Sequence, residues 1–125
     1  MTPSHSDMMF SVVMPAYNEE AVIETTITEL CAHLDGVGYR YEIIVVDDGS
    51  TDGTAELCDQ FRGSVPLRYY RQANQGPATA RNEGIQNSLG EWVAFLDSDD
   101  LWVKDKLECQ CRFLRENPQL ELVFG

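Results

Sequence analysis

The sequence predicts an α/β fold in which a mostly parallel sheet carries helices on both faces. Apolar segments typical of strands alternate without exception with segments whose apolar residues recur at helical spacing, and this alternation is typical of parallel sheets. Residues 43–46 and 92–96 are apolar enough to predict strands that are buried on both faces. The 125 residues, 43% of them apolar, suffice for one domain with a core.

Strands and helices are predicted along nearly the whole chain. They are, in order, a strand at 10–14, a helix that ends near Gly36, a strand at 41–46, a helix at 51–61, a strand at 67–71, a helix at 77–89, a strand at 92–96, a helix at 104–116 and the start of a strand at 120–124. Residues 1–8 are predicted to be a disordered lead-in, so the predicted domain spans residues 9–125.

Proline, glycine and capping residues set the predicted ends of the first elements. Pro15 closes the first strand. Asn18, followed by two glutamates, is suited to cap the helix that ends near Gly36. Ser50 or Thr51 is predicted to cap the second helix.

The later elements carry similar signals. Arg68 and Arg71 predict that the third strand lies at an edge of the sheet, because charged side chains are typical of edge strands. Pro77 suits the first position of the third helix, and Gly90 is predicted to stop that helix after residue 89.

Charge and composition argue against several classes of protein. A net charge of −12 argues against a nucleic-acid-binding surface and against docking on anionic lipid, since both need clustered Lys and Arg. No apolar run reaches the length of a transmembrane helix, and the polar N-terminus is not a secretory signal. The four cysteines lack the spacing of a metal site or disulfide framework, which favours a cytoplasmic location.

Three carboxylates directly follow the fourth predicted strand. Asp97, Asp99 and Asp100 lie within four positions, although like charges repel and cannot enter the core beneath them. A divalent cation such as Mg²⁺ or Mn²⁺ would resolve this repulsion, because such cations take carboxylates together with substrate phosphates as ligands. An acidic loop or a helix N-terminus, where Asp is favoured, is an equally good interpretation.

Three strand ends carry unusual residues, at 15–19, 47–50 and 97–100. Ligands of open parallel sheets bind beyond the carboxyl ends of the strands, so these segments together predict a binding site. The sequence has neither the Gly-x-Gly-x-x-Gly of dinucleotide-binding folds nor a P-loop. A bare pyrophosphate beside these aspartates would be repelled by about 4 kcal/mol per charge pair at about 4 Å and an effective dielectric near 20, which again predicts a bridging cation.

Single residues of these segments allow more than one interpretation. Tyr17 either lies against a planar base or packs half-buried. Arg81 either meets an anion or a base near the positive end of its helix, or forms a salt bridge with Glu83 or another acid. Asp48 is predicted to accept a hydrogen bond from a ligand. A calcium loop starting at Asp48 fits poorly, because its twelfth position is Asp59 rather than glutamate.

Four blocks stand out along the chain. They are Val-Val-Met-Pro-Ala-Tyr-Asn-Glu-Glu at 12–20, Val-Val-Asp-Asp-Gly-Ser-Thr-Asp-Gly-Thr at 45–54, Asn-Gln-Gly-Pro-Ala-Thr-Ala-Arg-Asn-Glu-Gly at 74–84 and Phe-Leu-Asp-Ser-Asp-Asp at 95–100. Together, and in this order, they resemble family-two glycosyltransferases of the GT-A fold. The resemblance implies a three-layer Rossmann-like fold and an inverting transferase that uses a nucleotide sugar, usually a UDP-sugar, and Mg²⁺ or Mn²⁺, with a glycan or lipid acceptor.

The resemblance also implies roles for single residues. One wall of the nucleotide pocket would be formed by Pro15, Ala16, Tyr17 and Glu19. Asp48 would form a hydrogen bond with the base, and Arg81 would lie near the base and phosphates. Asp97 would contact the ribose and the metal, and Asp99 would be the main metal ligand. Asp97-Ser98-Asp99 matches the Asp-x-Asp motif of the family.

The chain departs from the family in two respects. Val103-Lys104 stands where many members have a proline, and no residue matches the general base, which lies in a second, acceptor-binding half. Residues 9–125 are therefore expected to be the donor-binding half of an enzyme, with any membrane contact made by other regions. A nucleotide-binding module without turnover and a signalling receiver domain are the alternative hypotheses.

Overall fold

A computed structural model describes residues 9–37, 40–97 and 116. Its elements are, in chain order, β1 (Met9–Ala16), α1 (Ile23–Val37), β2 (Arg40–Asp47), α2 (Thr54–Gln60), β3 (Leu67–Arg71), α3 (Pro77–Gln86) and β4 (Trp92–Phe95). The predicted lead-in at 1–8 and the predicted strand at 120–124 lie outside the described residues. So does the predicted helix at 104–116, apart from Glu116, which is helical.

The four described strands form one parallel sheet with the order β3-β2-β1-β4. This confirms the predicted parallel sheet and the predicted edge position of β3. The order runs from β1 through β2 to β3 on one side and continues with β4 on the other side of β1. The direction of winding therefore reverses between β1 and β4, which is where open α/β sheets bind their ligands.

Helices cover both faces of the sheet, as predicted. On one face, buried side chains of α1 and α2 pack against alternate residues of β1 and β2. This core contains Phe10, Val12, Met14, Ala16, Ile23, Ile27, Leu30, Cys31, Leu34, Ile43, Val45, Cys58 and Leu96. On the other face, Ala80 of α3 packs with Ile44 and Val46. The two sets alternate along β2 because successive side chains of a strand point to opposite faces.

The close approach of α3 to the sheet depends on a glycine. A Cβ atom at Gly84 would lie 2.3 Å from Cγ1 of Val13, 2.9 Å from its Cγ2 and 3.2 Å from its Cβ. Val13 is fully buried in β1, which is paired on both sides. Only a residue without a side chain therefore allows α3 to lie at this depth.

A carboxylate fixes the amino edge of the sheet. The buried Glu42 accepts hydrogen bonds from Ser11 Oγ at 2.6 Å, from the Leu89 backbone N–H at 2.7 Å and from Arg68 Nη2 at 2.6 Å. Burial alone would raise the pKa of Glu42, but these hydrogen bonds and the Arg68 charge outweigh burial and lower it. Glu42 thereby ties the segment after α3 to the start of the sheet.

The predicted end of the first strand at Pro15 is wrong. β1 continues to Ala16, and Pro15 pairs with Val46 of β2. Val13 accepts a hydrogen bond from Leu96 on the β4 side, so Pro15, two residues later, also faces that side. The paired residues of β4 end at Phe95, opposite Val13, so the missing N–H at Pro15 falls beyond the paired part of β4.

The predicted helix caps are also wrong. Asn18 lies in the left-handed region with φ 51°, and α1 begins only at Ile23. Helix α2 begins at Thr54 with Gly53 at its N-cap position, so neither predicted cap, Ser50 nor Thr51, fills that role. Instead, the side chains after β1 and β2 bind one another's backbone. A local capping pattern gives no information on such contacts between loops.

Two later boundaries differ from the prediction. Helix α3 ends at Gln86 rather than at residue 89, because the Asn87 and Ser88 side chains bind carbonyls of the last turn. β4 was expected to be buried on both faces, yet Phe95 is 43% exposed. Among the described residues, β4 pairs only with β1, and an edge position leaves its side chains partly open. No helix in the described ranges has the length and apolar character that crossing a membrane requires.

Candidate functional site

A cavity of about 500 Å³ lies at the carboxyl edge of the sheet, beside the point where the winding reverses. Its lining comes from the ends of β1, β2 and β4 and from the start of α3. The lining residues are Pro15, Ala16, Tyr17, Glu19, Asp48, Asn74, Gly76, Pro77, Arg81 and Asp97. Seven of the eight predicted site residues are in this set. The eighth, Asp99, lies outside the described residues.

The segment after β1 is held in place by the segment after β2. The Asn18 backbone N–H donates to Ser50 Oγ at 2.8 Å, and Asn18 Oδ1 accepts from the Thr51 N–H at 2.8 Å. The Glu19 N–H donates to Thr54 Oγ1 at 2.9 Å. These reciprocal bonds support the left-handed conformation of Asn18, a conformation that Asn tolerates better than most residues. They fix the backbone directly after Tyr17.

Tyr17 is 46% exposed and lines the cavity. Both interpretations of Tyr17 fit this position, since the residue is about half-buried and also lines the cavity. An exposed aromatic ring beside a cavity provides an apolar face for a planar group.

The Asp48 carboxylate organises the segment that leads into α3. Oδ1 accepts hydrogen bonds from Gln72 Nε2 at 2.8 Å and from the Gln75 N–H at 2.7 Å, and Oδ2 accepts from the Gly76 N–H at 3.0 Å. Burial alone would raise the pKa of Asp48, but these three donors outweigh it and lower the pKa. The side chain is thus a fixed anion at the cavity wall. A ligand N–H would meet it as a charge-assisted acceptor.

Asp47, the last residue of β2, is fully buried beneath this segment. Its carboxylate accepts hydrogen bonds from the Ser50 N–H at 2.8 Å and from the Tyr69 hydroxyl, and Arg71 Nη1 lies 3.9 Å away. Burial, followed by the hydrogen bond to Asp47, raises the pKa of Tyr69. Asp47 supports the turn that presents Asp48. This role of Asp47 was not predicted from the sequence. Tyr69 and Arg71 on β3, whose side chains can bind a carboxylate, were the signal that could have indicated it.

Arg81 and Asp97 form an ion pair. Arg81 Nη2 lies 3.2 Å from Asp97 Oδ1, and the two side chains are 39% and 50% exposed. The pair joins α3 to the residues directly after β4, and both side chains line the cavity. The salt-bridge interpretation of Arg81 therefore holds for this arrangement, but its partner is Asp97. Glu83, the other suggested partner, accepts a hydrogen bond from Asn87.

Asp97 is the described candidate for a metal ligand. No group of three or more His, Cys, Asp or Glu residues within metal-binding distance occurs in the described ranges. A half-exposed carboxylate at the cavity edge nevertheless fits Mg²⁺ or Mn²⁺, which are often held by one or two carboxylates together with substrate phosphates. The described part of the site therefore supplies one carboxylate of the kind that such cations bind.

Three lining residues were absent from the predicted site. Asn74, Gly76 and Pro77 lie on the segment that Asp48 holds and at the first turn of α3. Gly76 has φ +97°, a conformation that favours glycine, and this conformation lets its N–H reach Asp48. A Gly-Pro pair that opens a helix after a strand was the signal that could have identified them.

The sequence matches a known protein family. The model of the family described as "Glycosyl transferase family 2" matches residues 11–123. The chain belongs to glycosyl transferase family 2. The fold agrees, since solved glycosyltransferase structures superpose on most of the chain.

Three similar proteins illustrate the match. The chain is 42% identical over 111 residues to the putative teichuronic acid biosynthesis glycosyltransferase TuaG of Bacillus subtilis. This match covers 86% of this chain and 42% of TuaG. It is 33% identical to residues 1–349 of S. aureus TarS in complex with UDP-GlcNAc, with a TM-score of 0.74 over 87% of this chain and 32% of that one. The mannosyltransferase PcManGT of Pyrobaculum calidifontis, in complex with GDP-Man and Mn²⁺, is 28% identical, with a TM-score of 0.73 over 84% and 32% of the two chains.

The family 2 relatives are longer than this chain, which spans from 16% to 46% of the curated proteins it matches. The sheet order also separates the chain from a receiver domain. Receivers have the strand order 2-1-3-4-5, so β1 would lie beside β3, whereas β1 lies beside β2 and β4 here. The calcium-loop alternative fails as well, because Asp48 binds the segment after β3 and Asp52 binds Thr54.

Proposed function

We propose that this chain binds the donor of an inverting, metal-dependent glycosyl transfer. The donor is a nucleotide sugar, with a UDP-sugar as the favoured class, and the metal is Mg²⁺ or Mn²⁺. The sugar goes to a hydroxyl group of a glycan or lipid acceptor. The reducing cytoplasm, or the cytoplasmic face of a membrane, is the proposed location, in keeping with the buried free thiols of Cys31 and Cys58.

One observation carries this proposal. Residues from three strand ends and one helix start, far apart in sequence, line a single cavity at the reversal point of the sheet. Among them are an exposed aromatic ring, a fixed carboxylate, a guanidinium and a second, half-exposed carboxylate. These groups suit a base, a diphosphate and a divalent cation. A cavity of about 500 Å³ is within the usual range for such ligands.

The relatives support the choice of donor and metal. The solved TarS chain contains UDP-GlcNAc, and the solved PcManGT chain contains GDP-Man and Mn²⁺. UDP is favoured here because TarS is the more similar of the two, at 33% against 28% identity.

Each residue has a defined part in the proposed mechanism. Tyr17 would lie against the base, and the fixed Asp48 carboxylate would accept an N–H from the base edge. Arg81 would donate to the diphosphate, and Asp97 and Asp99 would hold the metal. When bound, the metal would stabilise negative charge on the departing diphosphate.

Inversion requires direct attack by the acceptor hydroxyl on the anomeric carbon. A general base accepts the hydroxyl proton as that bond forms, and the bond to the diphosphate breaks on the opposite side. We assign this role to no residue of the described site and propose that the base and the acceptor site lie outside the described residues.

Isothermal titration of the chain with a UDP-sugar tests the proposal. Binding should require Mn²⁺ or Mg²⁺ and should be lost in Asp99→Ala. The matched control is Asp59→Ala, which removes an equally charged but exposed residue that does not line the cavity and should leave binding unchanged. Binding of equal strength without metal, or undiminished binding by Asp99→Ala, would contradict the proposal.

A further inference from the structure

The Arg81–Asp97 ion pair joins two groups that the proposed function assigns to opposite ligands. The guanidinium is assigned to an anion and the carboxylate to a cation. In this structure Arg81 Nη2 lies 3.2 Å from Asp97 Oδ1, so each group is the counter-ion of the other. The contact joins one guanidinium nitrogen to one carboxylate oxygen, so a ligand on either group competes with it for that group's charge.

We propose that this pair couples metal binding to nucleotide binding by exchange of counter-ions. When a divalent cation binds Asp97, it displaces Arg81, whose guanidinium then becomes available to the diphosphate. When a diphosphate binds Arg81 first, the Asp97 carboxylate becomes available to the metal. The inference rests on the proposed function and identifies how its two ligands assist one another.

The physical basis is a cost that is shared by the two ligands. Whichever ligand arrives first bears the cost of weakening the ion pair, and the second ligand then binds without that cost. In addition, a cation held by Asp97 repels a guanidinium at ion-pair distance and favours its movement toward an anion. By linkage, the metal must strengthen nucleotide binding by the same factor by which the nucleotide strengthens metal binding.

The position of the pair distinguishes it from an ordinary surface salt bridge. Arg62 and Asp59 also form an ion pair, with Nε 3.4 Å from Oδ1 and with exposures of 68% and 67%. That pair lies within a single helix end and does not line the cavity. Substitution of Arg62 therefore removes the same charge from a protein of net charge −12 without touching the site.

The test uses Arg81→Met, Asp97→Asn and the control Arg62→Met in the full 125-residue chain. Free Mn²⁺ is measured by electron paramagnetic resonance, and UDP binding is measured by calorimetry, each with and without the other ligand. Thermal melting verifies that every variant is folded.

Opposite shifts for the two ligands are expected. Arg81→Met should bind Mn²⁺ alone about two- to fivefold more tightly, the range for release of an exposed ion pair. It should bind UDP about tenfold more weakly, from loss of a charge-assisted hydrogen bond. Asp97→Asn should do the reverse: UDP alone binds about two- to fivefold more tightly, and Mn²⁺ binding is lost. The factor by which UDP strengthens Mn²⁺ binding should fall in Arg81→Met and stay unchanged in Arg62→Met.

The outcomes separate the inference from the proposed function. If the unsubstituted chain binds both ligands but Arg81→Met binds Mn²⁺ no more tightly than Arg62→Met does, the exchange is refuted and the proposed function stands. If the unsubstituted chain binds neither UDP nor Mn²⁺, both are refuted.

Discussion

Replacing Gly84 with alanine should destabilise the protein even though alanine favours helices. The added Cβ would lie 2.3 Å from Cγ1 of Val13, whereas carbon atoms in contact are about 3.5–4.0 Å apart. A change of the Val13 rotamer cannot remove the overlap completely, because the Cβ of Val13 is itself only 3.2 Å away. Val13 cannot withdraw, since β1 is paired on both sides. Helix α3 must therefore move away from the sheet.

The size of the effect follows from two opposing terms. Inserting a methyl group into a packed core costs about 1–3 kcal/mol, and this overlap belongs at the upper end of that range. Alanine in place of glycine inside a helix contributes about 1 kcal/mol of stabilisation. The expected net loss is about 2 kcal/mol, which corresponds to a fall in Tm of about 6–10 °C for a chain of this length.

Urea denaturation measures this loss, and Gly36→Ala is the matched control. Gly36 is also helical, but nothing lies within 4 Å of its Cβ position, so alanine there should stabilise by up to about 1 kcal/mol. In a Val13→Ala background the two methyl groups are gone and only the 3.2 Å contact with the Cβ of residue 13 remains, so Gly84→Ala should cost less there than in the unsubstituted protein. If Gly84→Ala stabilises the protein as Gly36→Ala does, the packing argument is refuted.

Three further predictions follow from the polar contacts. Arg68→Met removes the charge beside Glu42 and should cost about 2 kcal/mol near pH 7, reduced from the usual 3–5 because Arg68 is one-third exposed. Because folding lowers the pKa of Glu42, the ionised carboxylate stabilises the protein above the pKa that Glu42 has in the unfolded chain. The cost of Arg68→Met, measured by urea denaturation, should therefore shrink as the pH falls below about 4. Asp48→Ala leaves two backbone N–H groups without their acceptor and should cost about 2 kcal/mol by the same method, against less than about 0.5 for Asp59→Ala. Burial, and then the Asp47 charge, raise the pKa of Cys58 to about 12, so peptide mapping after native alkylation at pH 8 should find it unlabelled; rapid labelling would contradict this.

The order and type of the described elements were predictable from the sequence because apolar spacing reports burial directly. Residues 43–46, for example, are all fully buried, as their composition indicated. The carboxyl-edge location of the site followed from strand ends alone, since parallel strands bring their ends together. Each of these features, an apolar spacing or a strand end, can be recognised within one short stretch of the sequence.

The errors arose where contacts between segments decide the structure. Pro15 stays in β1 because of where β4 stops pairing, and Asn18 binds Thr51 rather than capping its own helix. The pairing of Arg81 with Asp97 depends on α3 lying beside β4, which the strand order determines and the local sequence does not. The roles assigned to the cavity residues remain predictions.

Residues near the two ends of strand β2 hold the segments that precede and follow helix α3. Near its start, Glu42 accepts the N–H of Leu89, and just after its end, Asp48 accepts the N–H groups of Gln75 and Gly76. One inserted residue turns a helix by about 100° and lengthens it by about 1.5 Å, so an insertion in α3 would break one attachment or rotate Arg81 out of the cavity. Labels, tags or reporter peptides are better inserted next to Gly63, between α2 and β3, where nothing lies within 4 Å of the Cβ position; Gly63 itself should be kept, because its φ of +83° favours glycine.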